Sequence, residues 1–282
     1  MTGILISAKD LHERLEHEPR PVVLDVRWVL GDPNGHEHFL ARRVPGSVYV
    51  SLNDDLAAPA TAADGRHPLP DLADLQAAAR RWGLHNGDSV IVLDDNGGLA
   101  AARAWWLLRW AGLSDVRLLD GGLRAWSDAG YPLEGLETSP ASPIPGDVEL
   151  SSGRLPVLSI DEAADFPDHG VLLDARAGER YRGETEPVDP RAGHIPGAVS
   201  APTTENLTET GRFRSAAELR ARFTDLGVDP EKPGEVAVYC GSGVTAAHQV
   251  AALAIAGIDA VLFPGSWSQW SNDPTRPVAT GA

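Results

Sequence analysis

"VAVYCGSGVTAAHQVAAL", residues 236–253, reads as a strand, a tight loop and a helix in direct succession. A short apolar run with two valines ends on Cys240, the single cysteine of the chain. Gly241 and Gly243 follow, and an alanine-rich helical pattern runs on until Gly257 stops it. An apolar strand leading straight into a helix is the unit of a parallel α/β sheet. In such sheets ligands gather outside the carboxyl ends of the strands. The lone cysteine therefore stands where this fold class puts its chemistry.

Working outward, the same grammar occurs twice. "VVLDVR" (22–27) returns as "VLLDAR" (171–176), "VPGSV" (44–48) as "IPGAV" (195–199), and "VIVLD" (90–94) as "VAVYC" (236–240). "DGGLRAW" (120–126) has a looser echo in "PGSWSQW" (264–270). Four motifs in one order, each pair roughly 145–150 residues apart, predict two copies of one α/β domain, each a mainly parallel sheet flanked by helices. The expected boundaries are 1–138 and 151–282. Residues 139–150 form a linker, because "ETSPASPIPGDVE" (137–149) is rich in Pro and Ser and has no periodicity. Within the copies, strands are predicted at 22–26, 89–94, 116–119, 171–175 and 235–239. Helices are predicted at 8–17, in "PDLADLQAAARRWG" with Asp71 as N-cap and Gly83 past the end, and at 99–111, 122–128, 215–226 and 244–256. The helix at 215 opens on a Ser215/Glu218 capping box.

Composition narrows the function. The chain has 282 residues, 43% hydrophobic and 23% charged, with a formal charge of −16. An acidic chain without clustered Lys and Arg is a poor partner for nucleic acid or an anionic membrane. No apolar run approaches the roughly 18–20 residues that span a bilayer. The N-terminal stretch turns charged too soon for a signal peptide. One cysteine makes neither an internal disulfide nor a CxxC zinc site, and no His/Asp/Glu cluster has metal spacing, so no metal and a reducing, cytoplasmic setting are expected.

The loop after Cys240 specifies the chemistry further. Its glycines can aim successive backbone N–H groups at one point, and the start of the helix adds its positive dipole end. That environment stabilises an anion on the sulfur and makes the thiolate a nucleophile. A cysteine phosphatase would need an Arg six residues after the cysteine. Position 246 is Ala, and no Arg or Lys occurs between Cys240 and Arg276. A small neutral loop suits a sulfur atom carried on the cysteine better than a phosphate dianion.

These residues resemble the two-domain sulfurtransferases of the rhodanese family, and the likeness covers almost the whole chain. "LDVRW", "GRHPLP", "RAWWLLR" and "LLDGGLRAW" are similar to the family's N-terminal domain; "LDAR", "ERYRGETEP", "GHIPGA" and "YCGSGVTA" are similar to its C-terminal domain. The loop "CGSGVTA" resembles the 3-mercaptopyruvate sulfurtransferase branch, since thiosulfate-specific members more often carry basic residues there.

The resemblance implies a ping-pong transfer of sulfur from 3-mercaptopyruvate through a Cys240 persulfide to cyanide, a small thiol or thioredoxin, with no cofactor beyond that persulfide. Thiosulfate is the alternative donor, and a low-turnover persulfide carrier module is the alternative of another class. The first copy, with Asp94 at the cysteine position, is expected to be silent and to form one wall of a cleft. The resemblance points to Arg180 as ligand of the donor's carboxylate or sulfonate, with Arg182 nearby and Arg191 as a second candidate. Gly241, Gly243, Val244 and Thr245 would line the sulfur site. Ser242 and His67, the latter beside Arg66, would act in catalysis. Asn53 stands where some members carry an Asp that orients this His, with Asp54 and Asp55 adjacent. Asp25, Arg27, Asp174 and Arg176 recur in both copies and are expected to fix loops, as His194 fixes a turn. Trp105, Trp106 and Trp110, like Trp267 and Trp270, are expected to pack in the core.

Overall fold

The short apolar runs without alternation form strands buried on both faces. The computed structural model describes residues 3–232 and 234–282. Among the described residues, β1 (Leu5–Ile6), β2 (Val22–Asp25), β3 (Val48–Tyr49), β4 (Val90–Leu93) and β5 (Val116–Leu119) form one sheet in the order β1-β5-β4-β2-β3. A second sheet, ordered β7-β6-β8-β9, contains β6 (Val171–Asp174), β7 (Val199–Ser200), β8 (Val236–Tyr239) and β9 (Val261–Leu262). Every pairing is parallel, and the registers repeat: Leu24 opposite Val92 opposite Leu118 in one sheet, Leu173 opposite Val238 opposite Leu262 in the other. The central strands β4 and β8 are buried along their length. The α/β class and the duplication expected from the repeats are what the chain forms.

Helices cover both sheets. The helix Val244–Ile255, which begins where the Cys240 loop ends, is apolar on nearly every side, and its alanines let it lie close against β8 and β9. The Ser215/Glu218 capping box is present, with the Glu218 N–H donating to Ser215 Oγ at 3.3 Å and the Ser215 N–H to Glu218 Oε2 at 3.0 Å. Asp71 sits at the N-cap of the helix Leu72–Arg81 but makes no capping bond with its side chain. Trp105 and Trp106 are buried, and Trp267 and Trp270 lie in the core of the second sheet. No helix of the described residues is long and apolar enough to cross a membrane.

The compact units do not follow the two sequence halves. One comprises Met1–Leu56, Pro70–Arg154 and Glu209–Arg212; the other comprises Ala57–Leu69, Leu155–Thr208 and Phe213–Ala282. The stretch expected as a free linker is a strap on the first unit. The Gly146 N–H donates to the Arg80 carbonyl (2.8 Å), the Val148 N–H to the Leu84 carbonyl (3.1 Å), and Val148 is buried. Segment 57–69, from the first sequence half, packs with the second unit through polar bonds and through Gly65. A Cβ at Gly65 would lie 2.6 Å from Ser268 Oγ and 2.9 Å from the Gly265 carbonyl oxygen. Arg66 N–H donates to Ser268 Oγ (3.0 Å) and Gln269 Nε2 to the Ala63 carbonyl (2.8 Å).

Candidate active site

β8 delivers Cys240 to the carboxyl edge of its sheet, buried. The loop that follows is held from behind by residues 263–268. Cys240 N–H donates to Ser266 Oγ (3.1 Å), which in turn donates to the Phe263 carbonyl (2.9 Å). Trp267 N–H donates to the Cys240 carbonyl (2.9 Å) and Ser268 N–H to that of Gly241 (2.8 Å). The Gly243 N–H donates to Cys240 Sγ at 3.2 Å. Backbone polarity is thus aimed at the sulfur from the first turn of the helix, where Gly243 is the N-cap.

The two loop glycines serve different ends. Gly243 has φ 77°, and a Cβ there would collide with the Pro264 carbonyl oxygen. Gly241 does not share the positive φ. A Cβ there would stand 3.0 Å from Arg66 Nη2 and 3.4 Å from Arg180 Nη1, so a larger residue would press on both side chains. The loop itself is neutral, as expected, but its surroundings are not: two guanidinium groups lie against its second residue.

Ser242 and His67 meet. Ser242 Oγ lies 2.8 Å from His67 Nδ1, and both residues are buried. Val244 is buried and Thr245 half-buried on the first turn of the helix, whose cap is Gly243 rather than Thr245. Arg180 pairs with neither Glu179 nor Glu184. Its Nη2 donates to Glu186 Oε1 (2.6 Å) and Asp189 Oδ2 (3.2 Å), and its Nε to Glu186 Oε2 (3.3 Å). Arg182 is the partner of Glu184 on the surface.

Arg191 goes elsewhere. Its Nε donates to the Ser271 carbonyl (2.8 Å), Nη1 to that of Arg276 (2.8 Å), and Nη2 to those of Trp270 (2.8 Å) and Asp273 (2.5 Å). A guanidinium that closes four carbonyls at the end of the helix Ser266–Asn272 is an architectural group, not a ligand beside the cysteine. The second arginine at the loop is Arg66, whose Nη1 is ion-paired with Asp189. Asp189, Glu186 and Ser266 were not singled out from the sequence. Burial pushes the Asp189 carboxyl up, and the Arg66 guanidinium pulls it back.

The recurrent strand-end pairs do fix loops. Arg27 grips Asp25 through Nε (2.5 Å) and Nη2 (2.9 Å) and donates to the Arg42 carbonyl (2.8 Å). Arg176 grips Asp174 in the same way and donates to the Gly193 carbonyl (2.7 Å), just ahead of the "IPG" turn. His194 stacks on Tyr181, with Nδ1 2.8 Å from the Tyr181 carbonyl oxygen. Asp55 accepts from Ser51 N–H (2.9 Å) and Arg81 Nη2 (2.7 Å), and Asp54 from Ser51 Oγ (2.7 Å). Asn53 is exposed.

At the end of β4, where the first sheet would carry the cysteine, Asp94 fills the cradle with its own carboxylate. Oδ1 accepts from the N–H groups of Asn96 (2.9 Å) and Gly98 (2.8 Å), Oδ2 from those of Ala100 (2.9 Å) and Ala101 (3.0 Å). Burial pushes this carboxyl up; the four N–H groups act against it. The strand-loop-helix unit thus turns backbone N–H groups toward the side chain at the strand end in both copies, four of them in the first and the Gly243 N–H in the second, and only the second copy has a cysteine there.

Comparison with known proteins accords with this geometry. The Rhodanese-like domain family matches residues 7–129 and 159–273. The chain is 48% identical over 284 residues to SseB of Mycobacterium tuberculosis, provisionally named a thiosulfate sulfurtransferase, covering 99% of this chain and 97% of that one. It is 46% identical to a protein of Pseudomonas aeruginosa with the provisional name 3-mercaptopyruvate sulfurtransferase, with 98% of each covered. The crystal structure of SseA from Escherichia coli, described as a 3-mercaptopyruvate sulfotransferase, superposes with a TM-score of 0.81 at 30% identity, covering 94% of this chain and 99% of that one.

Proposed function

Since this chain belongs to the rhodanese family, we propose that it is a sulfurtransferase that takes sulfur from 3-mercaptopyruvate onto Cys240 and passes it to a thiol or cyanide. The observation that carries this reading is Cys240 at the end of β8, with the Gly243 N–H donating to its sulfur and the Ser242–His67 pair on the next residue but one.

The Cys240 thiolate attacks the donor sulfur. The S–S bond forms as the C–S bond breaks, and the electron pair leaves on carbon as the enolate of pyruvate. That carbon then takes a proton, and Ser242, held by His67, is the group placed to relay it. The outer sulfur of the persulfide is next attacked by an acceptor thiolate or cyanide. A new S–S or S–C bond forms, and the Cys240 thiolate is released. No external oxidant or reductant enters either half-reaction. The Gly243 N–H serves the thiolate and the anionic persulfide alike, because both place negative charge at the end of β8.

Thiosulfate is the second reading. The two guanidinium groups against Gly241 favour it, because a compact dianion gains most from nearby cations. Glu186 and Asp189 oppose it by neutralising those cations, which leaves a site suited to a monoanion. Steady-state kinetics with both donors on one preparation decides the order: a higher kcat/KM for 3-mercaptopyruvate is expected, and a preference for thiosulfate reverses the assignment. A location in the cytoplasm and thioredoxin as acceptor remain part of this proposal, supported by the single reduced cysteine and the thiol chemistry.

A further inference from the structure

The segment that carries His67 shapes itself but does not place itself. Residues 61–65 close a tight turn: the Gly65 N–H donates to the Thr61 carbonyl (2.9 Å), the Asp64 N–H to Thr61 Oγ1 (3.0 Å), and Thr61 Oγ1 to Asp64 Oδ2 (2.6 Å). Residues 61–64 are exposed, whereas Gly65 and His67 are buried. The turn is held in place by the helix Ser266–Asn272, chiefly through Ser268.

Ser268 bonds in two directions at once. Its backbone N–H donates to the Gly241 carbonyl (2.8 Å), in the Cys240 loop. Its Oγ accepts from the Arg66 N–H (3.0 Å) and donates to the Gly265 carbonyl (3.1 Å). Gly241 adjoins Ser242 and Arg66 adjoins His67, so one residue spans the two neighbours of the Ser242–His67 pair. Gly65 lets the segment come this close, since a Cβ there would stand 2.6 Å from Ser268 Oγ. Gln269 Nε2 adds a second hold on the turn, at the Ala63 carbonyl (2.8 Å). Ser268 is fully buried, and a buried hydroxyl is costly unless its bonds are made. Where "DGGLRAW" of the first copy aligns with "PGSWSQW", the same position is Arg124, which is exposed. The hydroxyl therefore belongs to the copy that has the cysteine.

We propose that Ser268 is the positioning residue of the Ser242–His67 pair: it holds the Cys240 loop by its backbone and the His67 segment by its hydroxyl, and so sets the 2.8 Å contact between them. Such a contact tolerates little play, because a displacement of about 1 Å in a catalytic group costs up to roughly a hundredfold in rate. That the pair relays a proton to the departing product rests on the sulfurtransferase reading; the pin between loop and segment does not.

The test uses the full chain. Ser268→Ala removes the acceptor of the Arg66 N–H and keeps the backbone bond to Gly241. It is expected to lower kcat for 3-mercaptopyruvate about tenfold and to leave KM within about twofold. On a His67→Asn background the same substitution changes kcat by less than about twofold, because the group it places is already gone. Gly65→Ala, which drives a methyl group toward Ser268 Oγ from the other side, gives the same pattern. Hydrogen exchange reads the pin without turnover: backbone amides of segment 57–69 exchange about fivefold or more faster in Ser268→Ala. Unchanged kcat in Ser268→Ala overturns the proposal, as does an equal loss on the parent and on His67→Asn, or unchanged exchange in the segment. If the parent transfers sulfur from neither donor yet exchange quickens in Ser268→Ala, the pin stands and the sulfurtransferase reading falls.

Discussion

Ser242 and His67 are 175 positions apart in sequence and 2.8 Å apart in space. If the pair relays a proton, Ser242→Ala and His67→Asn each lower kcat for 3-mercaptopyruvate by about a hundredfold, and the double variant is no worse than either single one. Additive losses in the double variant would show that the two do not act together. Gly241→Ala puts a methyl group 3.0 Å from Arg66 Nη2, so it is expected to raise KM for the donor severalfold by displacing that arginine. The same crowding changes the outlook for basic side chains in the loop: Gly241→Arg with Ser242→Lys would push against two guanidinium groups already present. Cys240 was legible from its strand end and glycine loop, while Ser242, His67 and Arg180 were picked out because their motifs resemble the family's; the structure sets Ser242 beside His67 and Arg180 Nη1 beside Gly241. Arg66 and Asp189 were not legible. Their partnership joins positions 123 residues apart, and no local spacing encodes it. Arg191 misled for the converse reason: an arginine in the right segment turned to four carbonyls.

The Cys240 loop has the shape it has because residues 263–268, the turn into the helix Ser266–Asn272, brace it. Ser266 is the only non-glycine among the described residues with positive φ, at 55°, and its counterpart Gly122 in the first copy has the same φ. A serine replaces glycine at that position only in the copy with the cysteine, and its hydroxyl takes the Cys240 N–H. Ser266→Ala keeps the backbone strain and loses the acceptor, at a cost of about 1–2 kcal/mol. Ser266→Gly loses the same bond but relieves roughly 1 kcal/mol of strain. Chemical unfolding should therefore rank Ser266→Gly above Ser266→Ala, and equal stability of the two would remove strain from the explanation. The long elements were readable from their periodicity. The two-residue strands β1, β3, β7 and β9 were not, since two residues have no period and their place depends on pairing with β5, β2, β6 and β8.

Duplication followed by divergence explains both units. Each keeps the central parallel strands, the Asp–Arg pair at a strand end and the cradle after the central strand, and only one keeps a sulfur nucleophile. Asp94→Ala would leave four N–H groups, three of them buried, without their acceptor, which costs about 2–4 kcal/mol in unfolding free energy, while sulfur transfer at Cys240 continues. Loss of sulfur uptake in a folded Asp94→Ala chain would assign the first copy a chemical role. The repeats showed the α/β class and the two copies from the sequence. The exchange of segments 57–69 and 209–212 between units was invisible there, because it depends on side-chain bonds such as that of Arg66 N–H to Ser268 and the ion pair of Arg212 with Asp120. The central claim, that Cys240 carries the sulfur, is tested most directly by intact-protein mass spectrometry after incubation with 3-mercaptopyruvate and no acceptor. The chain should gain the mass of one sulfur atom and lose it on adding cyanide, and Cys240→Ser should gain nothing. An unmodified mass in the parent, or the same gain in Cys240→Ser, contradicts it.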